Sequence, residues 1–412
     1  MRKRVMVVVA ALTAAGGTGS PMAWAWTDET PSSASQCSPV DINDAGVGAE
    51  NCLVGNARIA FKTQLSGGST PLSPLLSTPG GAPCLAGAIN NAVVGQETII
   101  GACADGNNVP QGVMWAHGAT TPTQLQPATT LLGLIRLGVS TTAAAVNDAG
   151  VVIGLSTDAN GTDAPTYWSG SGVATLLAPP LLGSSANCEP ASINNVSSPS
   201  VVGNCPGGGG KNNPVLWTTL SSGYQTLPIP SGASYCSARH INAAGQILGE
   251  CVYGTDRYQA VQWGTGGTGP AVLQTVNGKV APRTQVAAQN DAGVVAVNYL
   301  AVGSQNGFKE PAVWNPASGN TNASAISLPA GAVKGSVGGI GNNGKLVGNF
   351  ETASGGVHPF HVEPNGVVAV DDGDPAGGSN AGVMALSRGG VNESVTAEDS
   401  SQHAHAEAQP IP

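Results

Sequence analysis

Charge is scarce in this sequence: Asp, Glu, Lys and Arg fill only 9% of its 412 positions, and aromatic residues only 4%. With 15 cationic side chains against 24 acidic ones, phosphate binding has no electrostatic basis and nucleic acid is excluded as a partner. Long hydrophobic runs are missing as well. No apolar stretch reaches the roughly 18 residues of a membrane-spanning helix. These absences do not describe a disordered chain, because 41% of the residues are apolar and the mean hydropathy is +0.06. What fills the space is turn chemistry. The 59 glycines and 29 prolines are residues that helix interiors avoid, which rules out a helical bundle and points to an all-β chain.

Residues 1–25 read as a signal peptide. Met1-Arg2-Lys3-Arg4 is a basic start, Val5 to Ala15 an apolar run too short to span a bilayer, and Ala23-Trp24-Ala25 a small-x-small cleavage site. Cleavage removes three cations and no acid, moving the formal net charge from −9 to −12. The expected product is an acidic protein exported to the periplasm or the extracellular medium.

The chain repeats. Ile42-Asn43-Asp44-Ala45-Gly46 recurs around Asn90, Asn147, Asn194, Asn242, Asn290 and Asn342, at steps of 47, 57, 47, 48, 48 and 52 residues. A β-rich run with glycine follows most copies, as in Val93-Val94-Gly95, Val151-Val152-Ile153-Gly154, Val201-Val202-Gly203, Ile247-Leu248-Gly249 and Leu346-Val347-Gly348. Strand, Asn/Asp-Ala-Gly turn, strand is a hairpin signal. A third strand then closes on Trp115, Trp168, Trp217, Trp263 or Trp314, and a fourth short apolar run follows. Four strands in about 48 residues is the size of one propeller blade. At one fixed place in each unit, these tryptophans read as packing residues between blades rather than sugar platforms.

The eight cysteines keep the same register. Cys37, Cys84, Cys188 and Cys236 each precede the motif asparagine by six residues; Cys52, Cys103, Cys205 and Cys251 each precede the tryptophan position, Gln64 in the first unit, by twelve. Where the first cysteine is lost the second is lost too: Thr141 with Ser156, Thr284 with Val302, Ser336 with Phe350. This paired loss predicts hairpin disulfides Cys37–Cys52, Cys84–Cys103, Cys188–Cys205 and Cys236–Cys251. They act as staples, not as a metal or redox site, since no CxxC or histidine cluster accompanies them. They also require an oxidising compartment.

Ile-Asn-x-x-Gly followed by Val-Val-Gly and a strand ending in tryptophan resembles the HAF family of bacterial extracellular repeats over roughly residues 37–372. The resemblance implies a β-propeller and an exported location, with no established chemistry. The His-Ala-Phe that names the family is replaced at most units, for example by Gln111-Gly112-Val113, and survives in part only at His358-Pro359-Phe360. The expected organisation is a signal peptide at 1–25, a linker or closing strand at 26–36, seven repeat units at 37–372, and a degenerate eighth unit with tail at 373–412. Seven or eight four-stranded blades are compatible with it.

Candidate chemistry is thin. Gly339-Ile340-Gly341-Asn342-Asn343-Gly344 matches GxGxxG but sits on a hairpin turn rather than between a strand and a helix, so no cofactor is expected. His358-x-x-His361 and His403-x-His405 lack carboxylates at ligand spacing, and Asp371, Asp372 and Asp374 lie in a Gly/Pro-rich link without EF-hand spacing. The Asn-Asp-Ala-Gly segments read as turns whose Asn and Asp bond their own backbone. No GxSxG, HExxH or unpaired cysteine supplies a nucleophile or metal ligand. The leading reading is therefore a monomeric, non-catalytic binding or scaffold protein for a glycan or protein, with loops 65–81, 120–140 and 206–211 as the first candidates for its contact surface. The alternative is a secreted glycan-active hydrolase or lyase. That alternative requires two carboxylates, or a histidine with one, to converge in the central pocket.

Overall fold

The computed structural model describes residues 27–28, 31, 33–34, 36–75, 84–92, 95–129, 138–179, 186–255, 257–300, 310–372, 378–389, 392–399 and 404–410. The signal-peptide segment, Val93-Val94, Val302, Asp374 and His403 lie outside them. The described chain is almost entirely β, its helical residues confined to three short 3-10 turns.

Four consecutive strands form each antiparallel sheet. The first sheet is Gln36–Ile42, Val47–Val54, Ala57–Gln64 and Ser69–Pro71; the second is Leu85–Ile89, Ile99–Ala104, Pro110–Trp115 and Thr123–Gln124. The third is Ser140–Val146, Val152–Thr157, Asp163–Trp168 and Ala174–Leu176, and the fourth Glu189–Ile193, Val201–Pro206, Asn212–Trp217 and Gln225–Thr226. The fifth, Tyr235–Ile241, Ile247–Tyr253, Arg257–Gly264 and Thr268–Val272, joins the sixth, Arg283–Gln289, Val295–Leu300, Glu310–Trp314 and Asn322–Ala325, through a single parallel pairing of Tyr258 with Arg283. A small hairpin, Thr275–Val276 and Lys279–Val280, adds to the edge of the sixth. The seventh is Ala332–Ile340, Leu346–Thr352, Val357–Val362 and Ala369–Asp371. A terminal sheet takes Gly378–Leu386, Asn392–Asp399 and Ala404–Pro410, and Thr27–Asp28 pairs with Ala408 and Glu407 to complete it. Each sheet packs on the next, and the strands of the terminal sheet pack on Gln36–Ile42 of the first.

Packing on both faces explains why the second strand of each unit opens on three consecutive buried residues rather than alternating from its start. Ile247, Leu248, Gly249, Cys251 and Val252 are all buried. Most first strands carry a bulge, for example between Ala238 and His240, which bends the strand and turns one carbonyl toward its partner. At Gly249 a Cβ would lie 2.0 Å from the Ser237 oxygen, and Gly101, Gly154, Gly203 and Gly348 meet the same obstruction. In the second unit this glycine position is held by Gly101 of Ile99-Ile100-Gly101.

Two further registers differ from the sequence reading. In the seventh unit Gly341 occupies the motif asparagine position, since its N–H donates to Lys345 as Asn43 does to Val47, and Gly335 rather than Ser336 stands opposite Phe350. In the sixth, Thr284 stands opposite Tyr299 rather than Val302, which lies outside the described residues. Thr141 does face Ser156.

Between the first two sheets Glu97, with its side chain 4% exposed, pairs with Lys62 and with His117 Nδ1 at 2.7 Å. Burial works to raise its pKa, but Lys62 and His117 outweigh burial and hold it at about 2. A depressed carboxylate contributes stability above its unfolded pKa, and that contribution is lost as pH falls through the folded value. Glu97→Gln should cost about 2 kcal/mol at pH 7 by removing the charge that Lys62 and His117 pair with. Denaturant melts of the two proteins at stepped pH should converge between about 4.5 and 2; a difference independent of pH would overturn the assignment.

Candidate functional site

The four disulfides join Cys37 to Cys52, Cys84 to Cys103, Cys188 to Cys205 and Cys236 to Cys251, each across the first two strands of its sheet with Cα atoms 4.0 to 4.2 Å apart. Cys37 and Cys52 with Glu50 form the one potential metal-ligand group among the described residues, but both sulfurs are spent on the bond. Trp115, Trp168, Trp217, Trp263 and Trp314 are 2% exposed or less and offer no face to a sugar. Three of them donate Nε1–H to a carbonyl just past the preceding sheet's fourth strand: Trp168 to Gln126, Trp217 to Ala178 and Trp263 to Pro228, at 2.7 to 2.9 Å. Trp115 Nε1 is buried with no hydrogen-bond partner among the described residues.

His358 and His361 stand three residues apart on one strand and so point to opposite faces. His358 stacks on Phe350, whereas His361 Nδ1 lies 2.5 Å from Asp372 Oδ1. The GxGxxG segment runs off the end of Ala332–Ile340 into a turn and then into Leu346–Thr352, with no helix to receive a pyrophosphate.

The hairpin turns carry the convergence that sequence reasoning missed. Each motif asparagine does bond its own backbone. Asn43 Oδ1 accepts from Ala45 and Val47, Asn147 Oδ1 from Val151, and Asn290 Oδ1 from Val294, while Gly46, Gly150 and Gly293 close the turns at φ of 71°, 73° and 80°. The same side chains also reach the next unit. Nδ2 of Asn43, Asn90, Asn147, Asn242 and Asn290 donates to the backbone carbonyl of Asn90, Asn147, Asn194, Asn290 and Gly341 in turn.

A second belt runs through the residue after the asparagine. The backbone N–H of Asp44 donates to Asn91 Oδ1, Asn91 to Asp148, Asp148 to Asn195, Ala243 to Asp291, and Asp291 to Asn342. Asn342 N–H donates to the Arg388 carbonyl, and Gly389 N–H donates to Asp44 Oδ1 at 2.5 Å, returning the belt from the terminal sheet to the first.

From that terminal turn the Arg388 guanidinium reaches two sheets at once, Nη1 to Asp148 Oδ2 at 2.6 Å and Nη2 to Asp291 Oδ2 at 2.9 Å. Burial raises the Asp148 pKa above the ordinary carboxylate value; Asp291 and Asp44 add to this, against the pull of Arg388. At Asp291 burial acts the same way but is outweighed by the Ala243 N–H, Arg388 and Asn342, so its pKa is lowered. Two carboxylates therefore do converge, as an enzyme would require, but on an arginine. Each also holds a backbone N–H. In the sequence the only trace of this is an Asn or Asp at the second turn position, a preference that local turn chemistry explains equally well.

No family model and no curated protein matches this sequence. Among solved structures the chain is similar to a puromycin-hydrolyzing peptidase of Mycobacterium tuberculosis, with 13% identity over 76% of this chain and 49% of that one, at a TM-score of 0.47. It is similar also to a prolyl endopeptidase, with 11% identity over 92% and 51% at 0.47, and to the β-propeller domain of the Trilobed protease from Pyrococcus furiosus, with 10% over 79% and 97% at 0.49. The chain spans about half the length of the first two. No helix among the described residues is long and apolar enough to cross a membrane.

Proposed function

We propose that the chain is an exported β-propeller of eight four-stranded blades, of the HAF-repeat kind, that binds a neutral glycan or a protein through its blade loops and performs no catalysis. The observation that carries the non-catalytic reading is the commitment of the central carboxylates. Asp148 and Asp291 each give one oxygen to a neighbouring backbone N–H and the other to Arg388. Asp44 accepts from Gly389 and from Asn91 Nδ2. General acid–base catalysis needs a carboxyl that can reach a substrate proton, and these are engaged in holding the turns. Eight blades are supported by the belt from Gly389 to Asp44 and by the strand Thr27–Asp28 in the terminal sheet. Export is supported by the four disulfides, which persist in oxidising compartments. The acidic balance disfavours polyanionic partners.

A glycan and protein array probed with the mature, oxidised chain tests this reading. Retention of neutral glycans or a protein, with every glycan recovered uncut, is expected; a cleaved glycan in the eluate would sink it.

A further inference from the structure

The second belt breaks once among the described residues. Asp44, Asn91, Asp148, Asn195, Asp291 and Asn342 all place an amide or carboxylate at the second turn position, but in the fifth unit that position is Ala243. Asn195 N–H consequently lacks the acceptor that its counterparts have. The first belt fails at the same junction, since Asn194, only 4% exposed, receives from Asn147 and caps Ser200 yet makes no bond through Nδ2. The Asn242 carbonyl accepts from Gly245 alone. An amide donor that faces open space with no protein acceptor is free to bond a polar group bound there.

These groups face a cavity of 160 Å³. Asn194, Asn195, Asn242, Asn342, Asp291 and Arg388 supply its polar wall, and Ile241 and Ile340 an apolar patch. Unused amide donors, a carbonyl with a spare lone pair and a small apolar face match a ring that carries hydroxyls on its edge and C–H groups on its face. Charge selects further. Asp44, Asp148 and Asp291 stand around the single cation Arg388, so the field repels an anion.

We infer that the Asn194/Ala243 gap is a subsite for one neutral sugar residue, its hydroxyls taking the place of the missing Asx oxygen. This rests on the glycan reading above and assigns it a location. Two oxygens are asked of the ligand, one accepting from Asn195 N–H or Asn194 Nδ2 and one donating to the Asn242 carbonyl. No bond is made or broken.

Ala243→Asp restores the belt with the residue that three other units already use there, and Ala243→Asn does so without charge. The mature oxidised chain is titrated with D-glucose, D-galactose, D-mannose and N-acetyl-D-glucosamine, with D-glucuronate as the charged control, by saturation-transfer NMR and calorimetry. At least one neutral sugar should bind, glucuronate at least tenfold more weakly, and both variants should lose the neutral sugar at least tenfold while melting no lower than wild type. Wild-type protein that binds none of the four sugars, variants that bind as wild type does, or tighter binding of glucuronate would overturn the inference. Should the array retain neutral glycans while the variants still bind, the location alone fails; an array that retains no glycan removes the glycan reading itself.

Discussion

Full reduction of the four disulfides is expected to destabilise the protein by about 12 kcal/mol, about 3 for each closed loop in the chain-entropy model. The loops of 15, 19, 17 and 15 residues lie one after another rather than nested, so in the unfolded chain each constrains its own segment and the effects add. That sum is comparable with the whole stability of an ordinary domain. The bonds lie in the first, second, fourth and fifth sheets, whereas the third, sixth and seventh hold Thr141 opposite Ser156, Thr284 opposite Tyr299 and Gly335 opposite Phe350. Loss should therefore be uneven. Hydrogen exchange after reduction should rise first in strands such as Leu85–Ile89 and Tyr235–Ile241, and least in Ala332–Ile340. Non-reducing peptide mapping should return the four pairs, and replacing Cys236 and Cys251 together by serine should cost about a quarter of the total. A melting temperature indifferent to reductant would contradict this account.

What was legible in the sequence was what repeats locally. Strand, Asx turn, strand and tryptophan recur within each unit because hairpins are built from neighbours in sequence, and cysteine pairs announce themselves because both partners lie in one hairpin. Where units differ in length, as at Ile99-Ile100-Gly101 and at Thr284, spacing misplaces the register, since it counts residues and cannot tell which of them pair. Contacts between units left less trace. Asp44 bonding Asn91 is 47 residues distant and Arg388 bonding Asp148 is 240 distant. An Asp at the second turn position serves a turn or a neighbouring unit with the same side chain, and an arginine in a degenerate last repeat carries no pattern at all. The subsite at Ala243 was harder still, because its signal is one missing oxygen, which has meaning only once the belt that it interrupts is known.

Trp263→Ala should be the most costly single side-chain truncation in the fifth sheet, about 3 to 5 kcal/mol. Trp263 has 0% exposure, stands opposite Ile247, and packs with Val202, Leu216 and Leu227 of the fourth sheet as well as with Ala238 and Val261 of its own. Its removal opens a cavity between sheets that neighbours on two separate backbones cannot close together. Trp263→Phe separates the terms, because it keeps most of the ring but loses the 2.7 Å bond to the Pro228 carbonyl, and should cost about 1 to 2 kcal/mol. Gly249 gives the internal control. A Cβ there would sit 2.9 Å from Trp263 Cζ3 but only 2.0 Å from the Ser237 oxygen. If the tryptophan alone demanded glycine, Trp263→Ala would rescue Gly249→Ala. The bulged first strand sets the tighter limit, so Gly249→Ala should remain destabilising in the Trp263→Ala background, with chemical denaturation of the four proteins giving a coupling energy smaller than either single cost. Full rescue would mean that the aromatic ring, not the bulge carbonyl, fixes glycine in Ile-Leu-Gly and its counterparts.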